Sequence, residues 1–138
     1  MTIQIHYWSV DVERLLQHYV QILGFELVHR QPVDPPANFC ILGLEGAQFM
    51  IGSNPDGLAK LDRNDRAVLE AAAARLGHPG PVSVYIGVAS LDAYYARLVE
   101  RAACIVEPIW DAPWGQRQFS ARDVDGNLMT FFQSETAG

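Results

Sequence analysis

The chain repeats itself. Gln4-Ile-His-Tyr-Trp, a helix-forming stretch and Gly46-Ala-Gln-Phe-Met-Ile return as Ser83-Val-Tyr-Ile-Gly, a second such stretch and Gly126-Asn-Leu-Met-Thr-Phe. The offset is 79 residues at the first strand, from Gln4 to Ser83, and 80 at the last, from Met50 to Thr130. Within 138 residues, such a repeat confines the chain to two half-sized modules sharing one core. A position that carries function in one half then predicts its partner in the other: Gln4 pairs with Ser83, and Met50 with Thr130.

Each module reads strand-helix-strand-strand-strand. In the first (1–53), Ile3–Trp8 alternates as a strand, and Asp11 is an N-cap for Val12–Leu23. The apolar stripe Val12, Leu15, Leu16, Tyr19, Ile22 and Leu23 ends at Gly24, a C′ residue. Phe25–Arg30 is the second strand, Pro32-Val-Asp-Pro-Pro36 interrupts, and Asn38–Leu44 with Ala47–Gly52 forms a hairpin. The second module (81–138) follows the same order: strand Val82–Val88, helix Leu91–Ala102, strand Cys104–Trp110, then Gln116–Ala121 and Leu128–Gln133 around Asp125-Gly126. Residues 54–80 form a connector, with turn chemistry in Ser53-Asn-Pro-Asp-Gly57 and a helix over Asp65–Leu76, capped by Asn64 and stopped by Gly77-His-Pro-Gly80. The fold class is α+β, and residues 1–138 are expected to form one domain.

Strand alternation separates two sheet faces. Ile3, Ile5, Ala47, Phe49, Ile51, Val82, Val84, Ile86, Met129 and Phe131 form an apolar set suited to packing under helices. Gln4, His6, Trp8, Gln48, Met50, Ser83, Tyr85, Gly87, Leu128, Thr130 and Phe132 form the other. Polar groups among aromatics suit a ligand-facing concavity, because Trp8, Tyr85 and Phe132 would be costly to leave in water.

Composition narrows the partners. A formal charge of −6 disfavours nucleic acid and anionic membranes, which need a basic footprint. The absence of an apolar run of about 18 residues argues against a membrane span. The N-terminus lacks a signal-peptide pattern. Cys40 and Cys104, both inside apolar runs, are expected as buried, reduced thiols of a cytoplasmic protein.

Val10-Asp-Val-Glu-Arg-Leu-Leu-Gln-His-Tyr-Val-Gln-Ile-Leu-Gly-Phe-Glu-Leu27 resembles the first helix and second strand of the vicinal-oxygen-chelate superfamily, which includes glyoxalase I, extradiol dioxygenases and bleomycin resistance proteins. Leu91-Asp-Ala-Tyr-Tyr-Ala-Arg-Leu-Val-Glu100 is similar to the matching second helix. Ile105-Val-Glu-Pro108, Pro113-Trp-Gly115 and Asp123-Val-Asp-Gly-Asn-Leu128 resemble the bleomycin-resistance-like members in particular. The resemblance implies paired βαβββ modules forming a curved sheet cup with helices on the outer face, assembled as a homodimer. Ala102 departs from the pattern, since the family usually has glycine after the second helix.

Metal-dependent members of that superfamily carry His or Gln on a module's first strand and Glu on its last. Here the corresponding residues are Gln4, Met50, Ser83 and Thr130. A thioether and two hydroxyls are poor ligands beside the usual imidazole and carboxylate set, so neither a metal nor another cofactor is expected. His6 faces the pocket with no acidic or imidazole partner in register, while His18, His29 and His78 read as surface residues. No nucleophile elbow or phosphate loop occurs, and no catalytic residue is assigned. The resemblance makes Trp114 the loop tryptophan of a drug groove, with Phe39 opposite. The expected ligand site therefore comprises Gln4, His6, Trp8, Phe39, Met50, Ser83, Tyr85, Trp114, Thr130 and Phe132. The favoured function is non-catalytic sequestration of an aromatic or peptide-like antibiotic; the alternative is a glyoxalase- or dioxygenase-like enzyme.

Overall fold

The computed structural model describes residues 3–53, 66–76, 78 and 82–134. The first module comprises β1 (His6–Trp8), α1 (Val12–Gln17), a π-helical turn (His18–Ile22), β2 (Glu26–Gln31), β3 (Phe39–Leu44) and β4 (Ala47–Gly52). After α2 (Arg66–Arg75), the second comprises β5 (Val84–Val88), α3 (Leu91–Glu100), β6 (Cys104–Asp111), β7 (Arg117–Arg122) and β8 (Leu128–Gln133). The sheet orders are β1-β4-β3-β2 and β5-β8-β7-β6, with the first strand of each module parallel to the last. The repeat thus survives as two copies of one topology, the expected paired βαβββ architecture.

The modules are joined through their helix-covered faces. Phe49, Ile51, Ile86, Met129 and Phe131, all from the apolar set, are buried with Tyr19 of the π turn and Tyr94 of α3. Two buried hydroxyls cross between the modules: Tyr19 donates to Asp123 at 2.7 Å, and Tyr94 donates to the Leu23 carbonyl at 2.6 Å. Phe25 and Phe131 meet edge-to-face at 6.4 Å. Burial without water raises the energetic stake of each such bond.

The helix ends follow their sequence signals with two departures. Asp11 caps α1 by accepting from the Arg14 N–H at 3.0 Å, and Gly24 takes φ +74°. The expected single helix Val12–Leu23 instead widens into the π turn at His18. A one-residue widening leaves the apolar stripe almost continuous, so periodicity cannot register it. At the end of α3, Ala103 N–H bonds to Leu98 O (3.0 Å) and Ala102 N–H to Val99 O (3.1 Å). This is a Schellman motif with a non-glycine residue, Ala102, held at φ +60°.

Several expectations are corrected. The first strands begin later than alternation indicates: pairing to β4 starts with the Met50 N–H to Ile5 carbonyl bond at 2.9 Å, and β5 starts at Val84 opposite Met129. Ile3 is 84% exposed and Val82 71%, and Ala47 is exposed as well, so the packed face is shorter than the apolar set. Cys40 is buried as expected, but Cys104 is exposed because β6 is an edge strand. His18 is half-buried and its Nε2 finds no hydrogen-bond partner among the described residues. The connector helix α2 falls within the expected span; the cap at Asn64 and the turn at 54–57 lie outside the described residues. Among the described residues no helix is long and apolar enough to cross a membrane.

Candidate functional site

The sheet faces turned away from the shared core carry the polar and aromatic set. On the first module, β1 and β4 bring His6 opposite Met50, and β3 brings Phe39 opposite Gly52. The His6 ring lies 4.2 Å from that of Trp8 and 6.4 Å from that of Phe39, which is also 6.3 Å from the His29 ring. Gly52 makes room for this cluster, since a methyl group there would lie 2.8 Å from His6 Nε2. Burial holds the His6 imidazole below its usual pKa, and its Nδ1 meets no hydrogen-bond partner among the described residues. Gln4 precedes β1, is exposed, and lines a small recess with Ile41, Gln48 and Met50.

On the second module, the β7–β8 register places Gln118 opposite Phe132 and Ser120 opposite Thr130, while β5 sets Tyr85 opposite Thr130. Thr130 is 3% exposed and its hydroxyl is bonded to that of Ser120 at 2.8 Å, so it forms the floor of this face. Tyr85 is 55% exposed, and Ser83 is exposed just before the strand. Phe132 leans over Gly87, where a methyl group would meet its ring at 3.0 Å.

Beside Phe132 the loop after β6 carries Trp114, 62% exposed. It is nevertheless positioned: its Nε1 donates to Gln118 Oε1 at 3.2 Å, and its ring meets Trp110 edge-to-face at 5.6 Å. Trp110 Nε1 in turn donates to Glu107 Oε1 at 2.7 Å, and Gln118 Nε2 reaches the same oxygen at 3.5 Å. Trp114, Phe132, Asp111, Arg117 and Gln133 line an open groove of about 860 Å³. Arg117 is clamped by Asp92 at 2.8 Å and Asp111 at 3.1 Å, and this hydrogen bonding holds the Asp92 carboxyl below its usual pKa.

Sequence reasoning located Trp114 and Phe132 but missed Glu107, Trp110 and Gln118. Irregular pairing between Ile105 and Glu107, and again between Glu107 and Trp110, breaks strict alternation along β6. Gln118 was legible in principle: counting back from Asp125-Gly126 sets it across from Phe132. The expected residues fall into two groups, Gln4, His6, Trp8, Phe39 and Met50 on one module and Ser83, Tyr85, Trp114, Thr130 and Phe132 on the other. No described hydrogen bond or ring contact joins the groups within one chain.

The donors at the superfamily's metal positions do not fit a transition metal. Met50 offers a thioether, the Thr130 hydroxyl is committed to Ser120, and no carboxylate or imidazole stands at Gln4, Met50, Ser83 or Thr130. Among the described residues no three His, Cys, Asp or Glu side chains gather as a ligand set.

Two topologically equivalent four-stranded sheets, each with a helix, define a doubled βαβββ fold. Residues 4–131 match the Glyoxalase/Bleomycin resistance protein/Dioxygenase superfamily, and the chain belongs to it. Bleomycin resistance proteins from Geobacillus stearothermophilus and Staphylococcus aureus are 27% identical over 126 residues, covering 89% of this chain and 89% of theirs. Among solved structures, TioX from Micromonospora sp. ML1 aligns with a TM-score of 0.71 at 24% identity, covering all of this chain and 99% of its own. TnmS3, an antibiotic binding protein from Streptomyces sp. CB03234, aligns with a TM-score of 0.67 at 22% identity, covering 98% and 97%.

Proposed function

We propose that the protein binds and sequesters a planar aromatic or peptide-like antibiotic without transforming it. The observation that carries this reading is Trp114: a large aromatic face left mostly in water, yet fixed in orientation by Gln118 and Trp110 at the rim of a groove floored by Phe132. Exposing such a surface is unfavourable unless something covers it, and a pre-oriented ring loses little freedom when a ligand stacks on it. The naming of the 27%-identical relatives as bleomycin resistance proteins supports the same reading, as does the description of TnmS3 as an antibiotic binding protein. Among the described residues of the groove, none is arranged as a nucleophile with its base, and the donors at the metal positions are unsuited to a Lewis acid.

The aromatic cluster of His6, Trp8 and Phe39 is the natural opposing wall. Because it shares no lining residue with the Trp114 groove within one chain, we infer that a complete cup takes one wall from each of two copies, with a homodimer as the functional unit.

Calorimetric titration with bleomycin and a panel of planar antibiotics tests the proposal. The expected result is saturable binding, with the ligand recovered chemically unchanged. Turnover of the ligand, or a transition metal at full occupancy that survives dialysis against chelator, would replace sequestration with catalysis.

A further inference from the structure

We infer that the recess between α2 and β1 binds a planar aromatic carboxylate, whose ring lies along Trp8 and whose charge meets Arg75. The inference goes beyond antibiotic sequestration and does not rest on it. His6 and Trp8 also belong to the opposing wall proposed above, but this recess draws all its lining from one chain.

The recess has a volume of about 370 Å³. Its basic lining is one guanidinium, Arg75, and two imidazoles, His6 and His78; no described carboxylate lines it. In a chain of formal charge −6, that is a local reversal of sign. Arg75 is exposed, and its Nη1 donates to the Ala71 carbonyl at 3.1 Å. Its Nε and Nη2 have no hydrogen-bond partner among the described residues, and no described carboxylate pairs with it. Those two nitrogens form one edge of the planar fork, the edge that matches a carboxylate bidentately. Two features that would oppose an anion are already satisfied. Asp123, bonded to the lining residue Asn127, accepts from the Tyr19 hydroxyl at 2.7 Å and from Asn127 Nδ2 at 2.8 Å. It also accepts from the Asp125 and Asn127 backbone N–H groups, each at 2.9 Å. At the end of α2, the His78 N–H bonds to the Arg75 carbonyl at 3.1 Å and the Leu76 N–H to the Ala73 carbonyl at 3.2 Å, which blunts the negative pole of the helix. The remaining walls suit a ring. Trp8 offers a half-buried indole, and Val82, 71% exposed, an aliphatic surface; covering both removes apolar area from water. His6 Nδ1 is buried and unpartnered among the described residues, a condition that a bound hydrogen-bonding group would relieve.

The competing account is that Arg75 serves only to cap its own helix. Arg75→Gln separates the two, because a glutamine amide still donates to a backbone carbonyl one turn back while the charge is gone. The probes are 2-naphthoate and 2-naphthamide, matched in ring and differing in charge, titrated by calorimetry at neutral pH. The unaltered protein is expected to bind the carboxylate at least about tenfold more tightly than the amide, the order set by one charge-assisted contact. In Arg75→Gln, that preference should disappear with amide binding unchanged. Equal binding of both probes by the unaltered protein overturns the inference, and needs no variant to fold. A preference that survives in Arg75→Gln also overturns it, since the anion then sits elsewhere. Loss of both probes in Arg75→Gln makes the residue a support of the recess wall and overturns it too, as does binding of neither probe by the unaltered protein. Antibiotic binding is read in its own titration, so each of these outcomes leaves the sequestration reading standing.

Discussion

At the scale of single residues, Trp114 concentrates what this surface can do. Anchors of its type dominate binding energetics when a partner covers them. Trp114→Ala is expected to weaken antibiotic binding by about 2 kcal/mol, roughly thirtyfold. Because the side chain is mostly exposed, the melting temperature should move little. Unchanged affinity would remove Trp114 from the site. A second residue bears on stability alone. Ala102 holds a left-handed conformation that costs an L-residue roughly 1–2 kcal/mol, while glycine would loosen the unfolded chain by about 0.4–1 kcal/mol. Relief is the larger effect, so Ala102→Gly should stabilise the protein by about 0.5–1 kcal/mol in urea unfolding. A destabilised variant would show that the Schellman turn carries no strain. The sequence exposed both residues, one as a Pro-Trp-Gly loop and the other as a departure from an expected glycine. Glu107 stayed hidden, because irregular pairing in β6 shifts its side of the sheet and nothing in the local residue order marks that shift.

At the scale of elements, α1 is tied to the strand and loop that follow it by one carboxylate. Glu13 is bonded to the Arg30 guanidinium and accepts from the Ala37 N–H at 2.9 Å and from Gln17 Nε2 at 2.8 Å. The Arg30 hydrogen bond is the main cause of a Glu13 pKa below the usual carboxylate value. A depressed folded pKa means stability that is fully present above the unfolded value, near 4.3, and is lost as pH falls through the folded one. His18 has the same sign at higher pH: burial lowers its pKa, so its contribution begins to fall near pH 6.5. Urea unfolding should therefore show stability declining in two stages on acidification. Glu13→Gln should reduce the stage below about pH 4.3, to which Asp92 also contributes, and leave the upper one intact. An unaltered acid limb in that variant would dissociate Glu13 from acid sensitivity. Helices, strands and both hairpins were legible because capping, periodicity and turn chemistry are local. The link from Glu13 to Arg30 and the π turn were not, since each depends on how separate elements meet.

At the scale of the molecule, the repeat determines more than topology. Two like modules are joined through their helix-covered faces, with Tyr19 bonded to Asp123 and Tyr94 to Leu23, and no described hydrogen bond or ring contact links the His6–Trp8–Phe39 cluster to the Trp114–Phe132 groove. Edge strands β1 and β2 of one sheet, and β5 and β6 of the other, also lack a second strand partner among the described residues and favour association. A twofold assembly answers both conditions, since it sets the His6–Trp8–Phe39 face of one copy against the Trp114–Phe132 face of the other, twice. Light scattering at micromolar concentration should then give about twice the chain mass of 15.3 kDa. The stronger test is complementation. Trp114→Ala impairs one face of each chain and Phe39→Ala the other, so every site in either pure homodimer is impaired. Refolded together at equal amounts, half the dimers would be mixed, each with one intact site and one doubly impaired. About a quarter of all sites should therefore recover full affinity. A cup built within one chain would recover none, and a monomeric mass would remove the shared cup altogether.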